Sequence, residues 1–309
     1  MTGRDKKTMD PGAYLHSLFG LEGKSILVTG AAGGIGAAIS RGLACAGAEV
    51  ALCGRTLSKC EALAEKIRAE GGRAGAFYLD MTELPTIQPC INEVIARYGK
   101  IDVLFNVAGI NKREGLLDVE EAGYDRIMDT NLKGLFFTSQ AVAREMYKRK
   151  CGNIVNIGSH NDEGMLGGCS VYGAAKSGVI ALTRSMAVEF ARYGIRCNAI
   201  SPGHILTELT QATWEHPTRA TYLRERIAME RPGMPEELVG MAILLASDAS
   251  GYMTGQAYHI DGGCLCVHRS CRHLSHHAVV PHGGEGGRMV RQRKEEFVRR
   301  PGGRHSDAV

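Results

Sequence analysis

Short apolar, β-branched runs alternate along the chain with longer stretches of helical spacing. Residues 25–29, 49–53, 74–79, 102–106, 153–159, 195–201 and 256–260 read as strands. Between them, residues 34–46, 57–70, 85–98, 171–193 and 235–247 read as helices, and 119–148 as mostly helix. Gly71-Gly72 stops the second of these, and two prolines sit near the start of the third. The strands are unbroken apolar runs rather than alternating ones, as in a sheet covered on both faces. Strand and helix in strict succession are the pattern of βαβ units with right-handed crossovers. The predicted fold is therefore α/β: one doubly wound, parallel Rossmann-type domain over residues 21–266. A polar arm, 1–20, precedes it, and a basic tail, 267–309, extends beyond it. In such sheets ligands bind beyond the carboxyl ends of the strands, so the residues just after each strand carry the functional question.

Composition narrows the class. With 44% hydrophobic and 23% charged residues in 309, wholesale disorder is excluded. No apolar run approaches the roughly 20 residues of a membrane-spanning helix, and the polar first ten residues hold no apolar signal core. The ten cysteines are then expected to be reduced thiols of a cytoplasmic protein. The tail carries nine Lys/Arg against four Asp/Glu, a charge of +5; since the whole chain is +4, the preceding 266 residues sum to −1. Basicity confined to the tail gives the domain no reason to bind nucleic acid. The end of the domain and the start of the tail bring together Cys264, Cys266, His268, Cys271, His273, His276 and His277. Thiols and imidazoles suit zinc, but these spacings match none of the usual finger patterns, so no metal site is assigned. The rest of the tail has few large apolar residues and is expected to be disordered.

After the first strand comes Thr29-Gly30-Ala31-Ala32-Gly33-Gly34-Ile35-Gly36, leading into a helix. Glycines there allow a tight turn and close approach of backbone to a pyrophosphate, and the helix N-terminus offers free N–H groups to the phosphates. The spacing is Thr-Gly-x-x-x-Gly-x-Gly, and here the chain resembles the short-chain dehydrogenase/reductase family. Further motifs agree in order. Asn106-Val107-Ala108-Gly109 resembles the family's Asn-Asn-Ala-Gly, departing at Val107. Asn131 lies in Asn-Leu-Lys-Gly, and Ser159 closes Ile-Gly-Ser. Tyr172-Gly-Ala-Ala-Lys176 matches Tyr-x-x-x-Lys, 13 residues after Ser159. Pro202-Gly203 precedes Thr207, and Asp261-Gly262-Gly263 ends the last strand. The string as a whole is most similar to the gluconate 5-dehydrogenase and sugar-acid branch of the family.

Tyr172 and Lys176, four apart on a predicted helix, share a face. A phenol is a poor base near neutrality, and a nearby ammonium is expected to lower its pKa. So tuned, it can donate a proton to an alkoxide or take one from an alcohol. Ser159 can hydrogen-bond the substrate oxygen. The resemblance implies that Lys176 also holds the nicotinamide ribose and that Asn131 anchors a water relaying protons. The cofactor-binding residues it implies are Gly30, Gly34, Ile35, Gly36, Arg55, Asp80, Asn106, Ala108, Gly109, Tyr172, Lys176, Pro202, Gly203, Ile205 and Thr207. For Asn106 the role lies at the adenosine side, against that of a strand-end turn residue.

Cofactor choice turns on the end of the second strand, where an NAD site carries an acid for the ribose 2′-hydroxyl. Here Gly54 stands in that position, with Arg55 next. A planar, permanent charge suits a 2′-phosphate, so NADP(H) is favoured over NAD(H), with Ser58 or Lys59 assisting. Arg55 as a solvated loop charge is the competing reading. Asp80 matches the family's adenine-contacting acid and can equally cap the next helix. The loops at 110–114, 160–168 and 204–229 are expected to build the substrate pocket. The cations Lys112 and Arg113 and the polar run His160-Asn161-Asp162-Glu163 suit a sugar acid or polyol. The alternatives are a 3-oxoacyl thioester reductase and, from another class, a non-catalytic cofactor-binding scaffold. A homo-oligomer, tetramer or dimer, is expected from the resemblance.

Overall fold

The computed structural model describes residues 10–267. The first nine residues, and the tail with most of its Cys/His string, lie outside the described residues. Among the described residues seven strands make one sheet: β1 (Ser25–Thr29), β2 (Glu49–Gly54), β3 (Arg73–Tyr78), β4 (Val103–Asn106), β5 (Gly152–Ile157), β6 (Ile195–Pro202) and β7 (Ala257–Ile260). All pairs are parallel, in the order β3-β2-β1-β4-β5-β6-β7. The order reverses between β1 and β4, which opens a crevice at their carboxyl ends, where such sheets bind ligands. Thr29 pairs with both Cys53 and Asn106 there, and Asn106 with Asn156.

The helices are α1 (Pro11–Phe19), α2 (Gly34–Cys45), α3 (Leu57–Ala69), α4 (Ile87–Tyr98), α5 (Glu121–Met128), α6 (Gly134–Arg149), α7 (Ser170–Phe190), α8 (Glu208–Glu215), α9 (Pro217–Arg224) and α10 (Val239–Ala246). Successive strand residues face opposite ways. Ile26, Val28, Val50 and Leu52 pack with Ile39 and Leu43 of α2 and Leu245 of α10. Leu27, Ala51 and Leu104 pack on the other face with Ile91 of α4 and Val142 and Met146 of α6. Both faces are buried, which is why the strands read as continuous apolar runs. Each fully buried Leu or Ile contributes about 1.5–3 kcal/mol.

Three local features depart from the periodic reading. The arm contains α1, which buries none of its residues. It forms because the Asp10 carboxylate accepts from the backbone N–H of Gly12 and Ala13, with Pro11 preset at the first position. The long helix expected over 119–148 is broken by a π-turn at Asp129–Lys133. Helices α8 and α9 fill what the sequence suggested was loop. A Thr207–Thr210 capping box starts α8, and Pro217 starts α9.

Candidate active site

The glycine turn is forced by close approach. Gly30 has φ +62°, and a Cβ there would lie 2.7 Å from Ala108 Cα. A Cβ on Gly36 would collide with the Gly30 carbonyl oxygen, and one on Gly34 would come 2.8 Å from Thr207 Cγ2. Glycine at 36 therefore lets α2 start against the end of β1, while glycine at 30 and 34 lets Ala108 and Thr207 close in on the turn. The N-cap, Gly33, supplies no side-chain acceptor, so the first N–H groups of α2 remain available to an anion. Thr29 Oγ1 accepts from the N–H of Val107 (3.1 Å) and Ala108 (3.2 Å), tying the loop after β4 to the turn. A dinucleotide pyrophosphate fits this cradle.

At the far end of the crevice β2 closes on Gly54, and no acid stands beside it. The Arg55 side chain is 57% exposed, and its one ion pair among the described residues is a loose 4.0 Å approach to Asp80. Asp80 is buried and does local work: Oδ1 accepts from the Thr82 N–H (2.8 Å) and hydroxyl (2.7 Å). Its other oxygen is the one facing Arg55. The guanidinium is thus held near the crevice with most of its donors free. Asn106 departs from its expected adenosine role. Its Nδ2 donates to Ser139 Oγ (2.8 Å) and Asn156 Oδ1 (2.9 Å), deep between sheet and helices. Both amide hydrogens are used, so the side chain ties β4 to β5 and α6, while its buried Oδ1 has no partner among the described residues.

The four chemical residues converge at the carboxyl ends of β4 and β5. The Ser159 hydroxyl lies near enough to the Tyr172 phenol to act on its pKa. Lys176 is 3% exposed, donates from Nζ to the Ile157 carbonyl (2.6 Å), and lies 5.8 Å from the Tyr172 ring centre. Asn131, on the π-turn, is clamped to Ile110: its Oδ1 accepts from the Ile110 N–H and its Nδ2 donates to the Ile110 carbonyl, both at 2.8 Å. An uninterrupted α-helix would not aim this residue so, and π-turns recur at functional sites for that reason. A Cβ on Gly109 would stand 3.4 Å from Asn131 Oδ1 and 3.6 Å from Lys176 Nζ, so glycine keeps this corner open.

Burial pulls the Lys176 ammonium down to about 8, with the negative charge of Asp162 opposing the shift. The expected lowering of Tyr172 is not found. Burial pushes its phenol above the ordinary value, and the neighbouring Ser159 hydroxyl only partly offsets this. At 5.8 Å, with its ammonium turned to Ile157, Lys176 does not compensate the lost hydration.

Tyr172 and Lys176 open onto a cleft of about 390 Å³ that Ser159, Pro202, Gly203, Ile205 and Thr207 also line. Each expected substrate loop reaches it, through Arg113, His160 and Trp214 among others. Lys112 turns instead to Glu114, at 2.6 Å. The polar run after Ser159 is split. His160 and Asn161 face the cleft, whereas the Asp162 carboxylate accepts from Ser201 Oγ (2.5 Å) and pairs with His259 Nε2 (3.0 Å).

A sequence model of the family described as Enoyl-(Acyl carrier protein) reductase matches residues 30–264. The 5-keto-D-gluconate 5-reductase of Escherichia coli K12 is 37% identical over 251 residues, covering 81% of this chain and 99% of that protein. The chain belongs to the short-chain dehydrogenase/reductase family. It is an oxidoreductase, with the resemblance of its motifs now supported over four-fifths of its length. A 3-oxoacyl-acyl-carrier-protein reductase of Thermotoga maritima is 39% identical over 247 residues, 79% of this chain and 99% of that one. Among solved structures, a gluconate 5-dehydrogenase of Burkholderia cenocepacia J2315 in complex with NADP and tartrate superposes with a TM-score of 0.80. It is 38% identical and covers 82% of this chain and all of that one.

Within this reductase fold, Asp162 and His259 form the pair that sequence reading missed. They lie 97 positions apart, and no spacing signal connects them. The pair fastens the loop that carries Ser159 to β6 and β7, close enough for the Asp162 charge to act on Lys176.

Proposed function

We propose that the chain is an NADP(H)-dependent oxidoreductase that interconverts a ketone and a secondary alcohol on a sugar acid or polyol. The observation that carries this reading is the convergence of Tyr172, Ser159 and Lys176 on a cleft that Arg113 also lines, with buried Asn131 clamped behind its wall residue Ile110. The glycine cradle accepts the pyrophosphate, and Arg55, with no acid at Gly54, suits the 2′-phosphate. Gly109, Pro202, Gly203, Ile205 and Thr207 line the nicotinamide end. When bound, the nicotinamide supplies or accepts the hydride.

The chain's own residues handle the oxygen. Ser159 hydrogen-bonds the carbonyl and positions it against the Tyr172 hydroxyl. As negative charge grows on that oxygen, Tyr172 gives it a proton, and oxidation runs the same transfer backwards. A phenolate in this desolvated site needs a cation beside it. Lys176, whose ammonium titrates near 8 and is still largely charged at neutral pH, meets that need by turning from the Ile157 carbonyl towards the phenol. Asn131, clamped to Ile110, anchors the path by which the phenol is reprotonated. Arg113 is placed to pair with a carboxylate, which favours an acidic substrate.

The test is oxidation of NADPH and of NADH over a panel of keto-gluconates, acetoacetyl thioesters, diketones and quinones, with Tyr172→Phe as control. NADPH-dependent turnover of a keto-gluconate, lost in the variant, supports the reading. NADH preference refutes the role of Arg55, and faster turnover of the acetoacetyl thioester replaces the sugar acid by an acyl substrate. Cofactor binding with no turnover of any ketone favours a scaffold.

We place the protein in the cytoplasm, a reading supported by the free state of the described cysteines. No helix among the described residues is long and apolar enough to cross a membrane. We further read it as a homo-oligomer. Helices α6 and α7 border a groove of about 800 Å³ lined by Tyr147, Val188, Phe190 and Tyr193, and Val188 is 82% exposed. A second copy of the chain is the natural cover for such a face, and Val188→Asp should lower the mass measured by light scattering.

A further inference from the structure

Three donor side chains from three separate strand-end loops meet beside the cleft, two of them in its wall. His160 comes after β5, His204 after β6, and Cys264 lies on the short helical turn Cys264–Cys266 after β7. One ligand atom from each lies within 4.8 Å of the others. None of the three is needed for the proton transfer proposed for Tyr172.

The state of the imidazoles points to a ligand. His160 is 5% exposed, and its Nδ1 sits 3.3 Å from the Pro202 carbonyl. That oxygen can only accept, so the hydrogen-bond pattern assigns the proton to Nδ1 and leaves a bare lone pair on Nε2. This Nε2 is buried without a partner among the described residues, and so is Nε2 of His204. The two rings stack at 4.6 Å between centres, with Trp214 edge-on to His204 at 6.4 Å. Two buried imidazole nitrogens side by side, neither with a partner, are unfavourable unless something binds them. An Nδ1–H held by a backbone carbonyl is also how metal-binding histidines are commonly oriented. The thiol is presented by a fixed turn, because Asp261 accepts from the N–H of Gly263 (2.8 Å) and Leu265 (2.9 Å).

We propose that His160, His204 and Cys264 bind a divalent cation of the zinc class, in the wall of the substrate cleft. Two imidazoles and a thiolate suit zinc and exclude magnesium or calcium, which take oxygen ligands. Bond lengths of about 2.0–2.3 Å bring three tetrahedral ligand atoms to about 3.5 Å from one another, so loading contracts the cluster modestly. The Cys264 proton leaves to solvent as the thiolate bonds the ion. Arg113 and Arg226 lie near His204, and the new thiolate and Asp261 offset their charge. His160 and His204 both line the cleft, so the fourth coordination position faces it and takes a hydroxyl or carboxylate oxygen of the bound molecule. This site stands apart from the sugar-acid reading and survives its failure.

The test uses the full chain with Co²⁺ and Zn²⁺. Co²⁺ should give a thiolate-to-cobalt charge-transfer band that is lost in Cys264→Ser and retained in Cys271→Ser, a control for the tail. Zn²⁺ affinity, read by competition with a chromophoric chelator, should fall at least tenfold in Cys264→Ser and in His204→Gln. A second readout needs no variant: Zn²⁺ should slow iodoacetamide labelling of Cys264, monitored by mass spectrometry, and leave exposed Cys45 unaffected. A band that persists in Cys264→Ser, or labelling of Cys264 that Zn²⁺ does not change, overturns the site.

Discussion

Replacing Lys176 by methionine should stabilise the protein while destroying its activity. The ammonium is buried, and its one hydrogen bond goes to the Ile157 carbonyl. Burial brings its pKa from 10.5 to about 8. At roughly 1.4 kcal/mol per pKa unit, holding the charged form in the folded chain costs about 3 kcal/mol at pH 7. Methionine fills a similar volume with no charge, and it leaves Ile157 without that donor at a cost of about 1 kcal/mol. The net gain is about 2 kcal/mol, a rise of about 5 °C in melting temperature for a domain of this size. The pH dependence identifies the cause. The folded pKa lies below the unfolded one, so the penalty is complete below about pH 8. It fades as pH climbs through 10.5, beyond which both states are neutral. Urea unfolding of the cofactor-free protein should therefore show Lys176→Met ahead of the wild type at pH 7, with the gap closing by about pH 10. A variant less stable than the wild type at pH 7, or a gap that does not change with pH, refutes the account. Loss of turnover in the same variant would show that stability is given up here for chemistry.

Other expectations are as direct. Arg55→Ala should raise KM for NADPH tenfold to a hundredfold, from the loss of charge-assisted bonds worth about 1.5–3 kcal/mol, while kcat and NADH kinetics change little. Arg113→Ala should raise KM for a keto acid at least tenfold and leave a neutral ketone unaffected, read from steady-state kinetics on the two substrates. Asp162→Asn removes the charge that pairs with His259 and accepts from Ser201. It should cost about 1–3 kcal/mol in urea unfolding and push the Lys176 pKa below 8, so that activity falls off at lower pH than in the wild type.

The sheet was readable because its causes are local. Continuous apolar runs such as Ser25–Thr29 declare strands buried on both faces, and right-handed crossovers leave few ways to order them. The glycines at 30, 34 and 36 were readable as a motif because they cluster between a strand and a helix, although only the Gly36 constraint is local: Gly30 is held by Ala108 and Gly34 by Thr207, both far off in sequence. Tyr172 and Lys176 were readable because helical spacing places them on one face. Helix α1 escaped notice because it rests on a cap at Asp10 rather than on an apolar stripe. The π-turn around Asn131 left no trace in the periodicity, since it shifts the pattern by one residue only.

The amino-acid order by itself thus determined the doubly wound sheet, the phosphate turn and the identity of the chemical groups. Desolvation and side-chain direction, which depend on everything packed around a residue, were decided only by the tertiary structure. Burial raised the Tyr172 phenol where a neighbouring lysine alone predicts the opposite. Packing turned Asn106 away from the nucleotide and into the sheet. Chain crossovers brought Asp162 to His259, and His160 to His204 and Cys264, from loops far apart in sequence. Spacing rules cannot see such meetings, because they result from closing the whole sheet rather than from any segment of it.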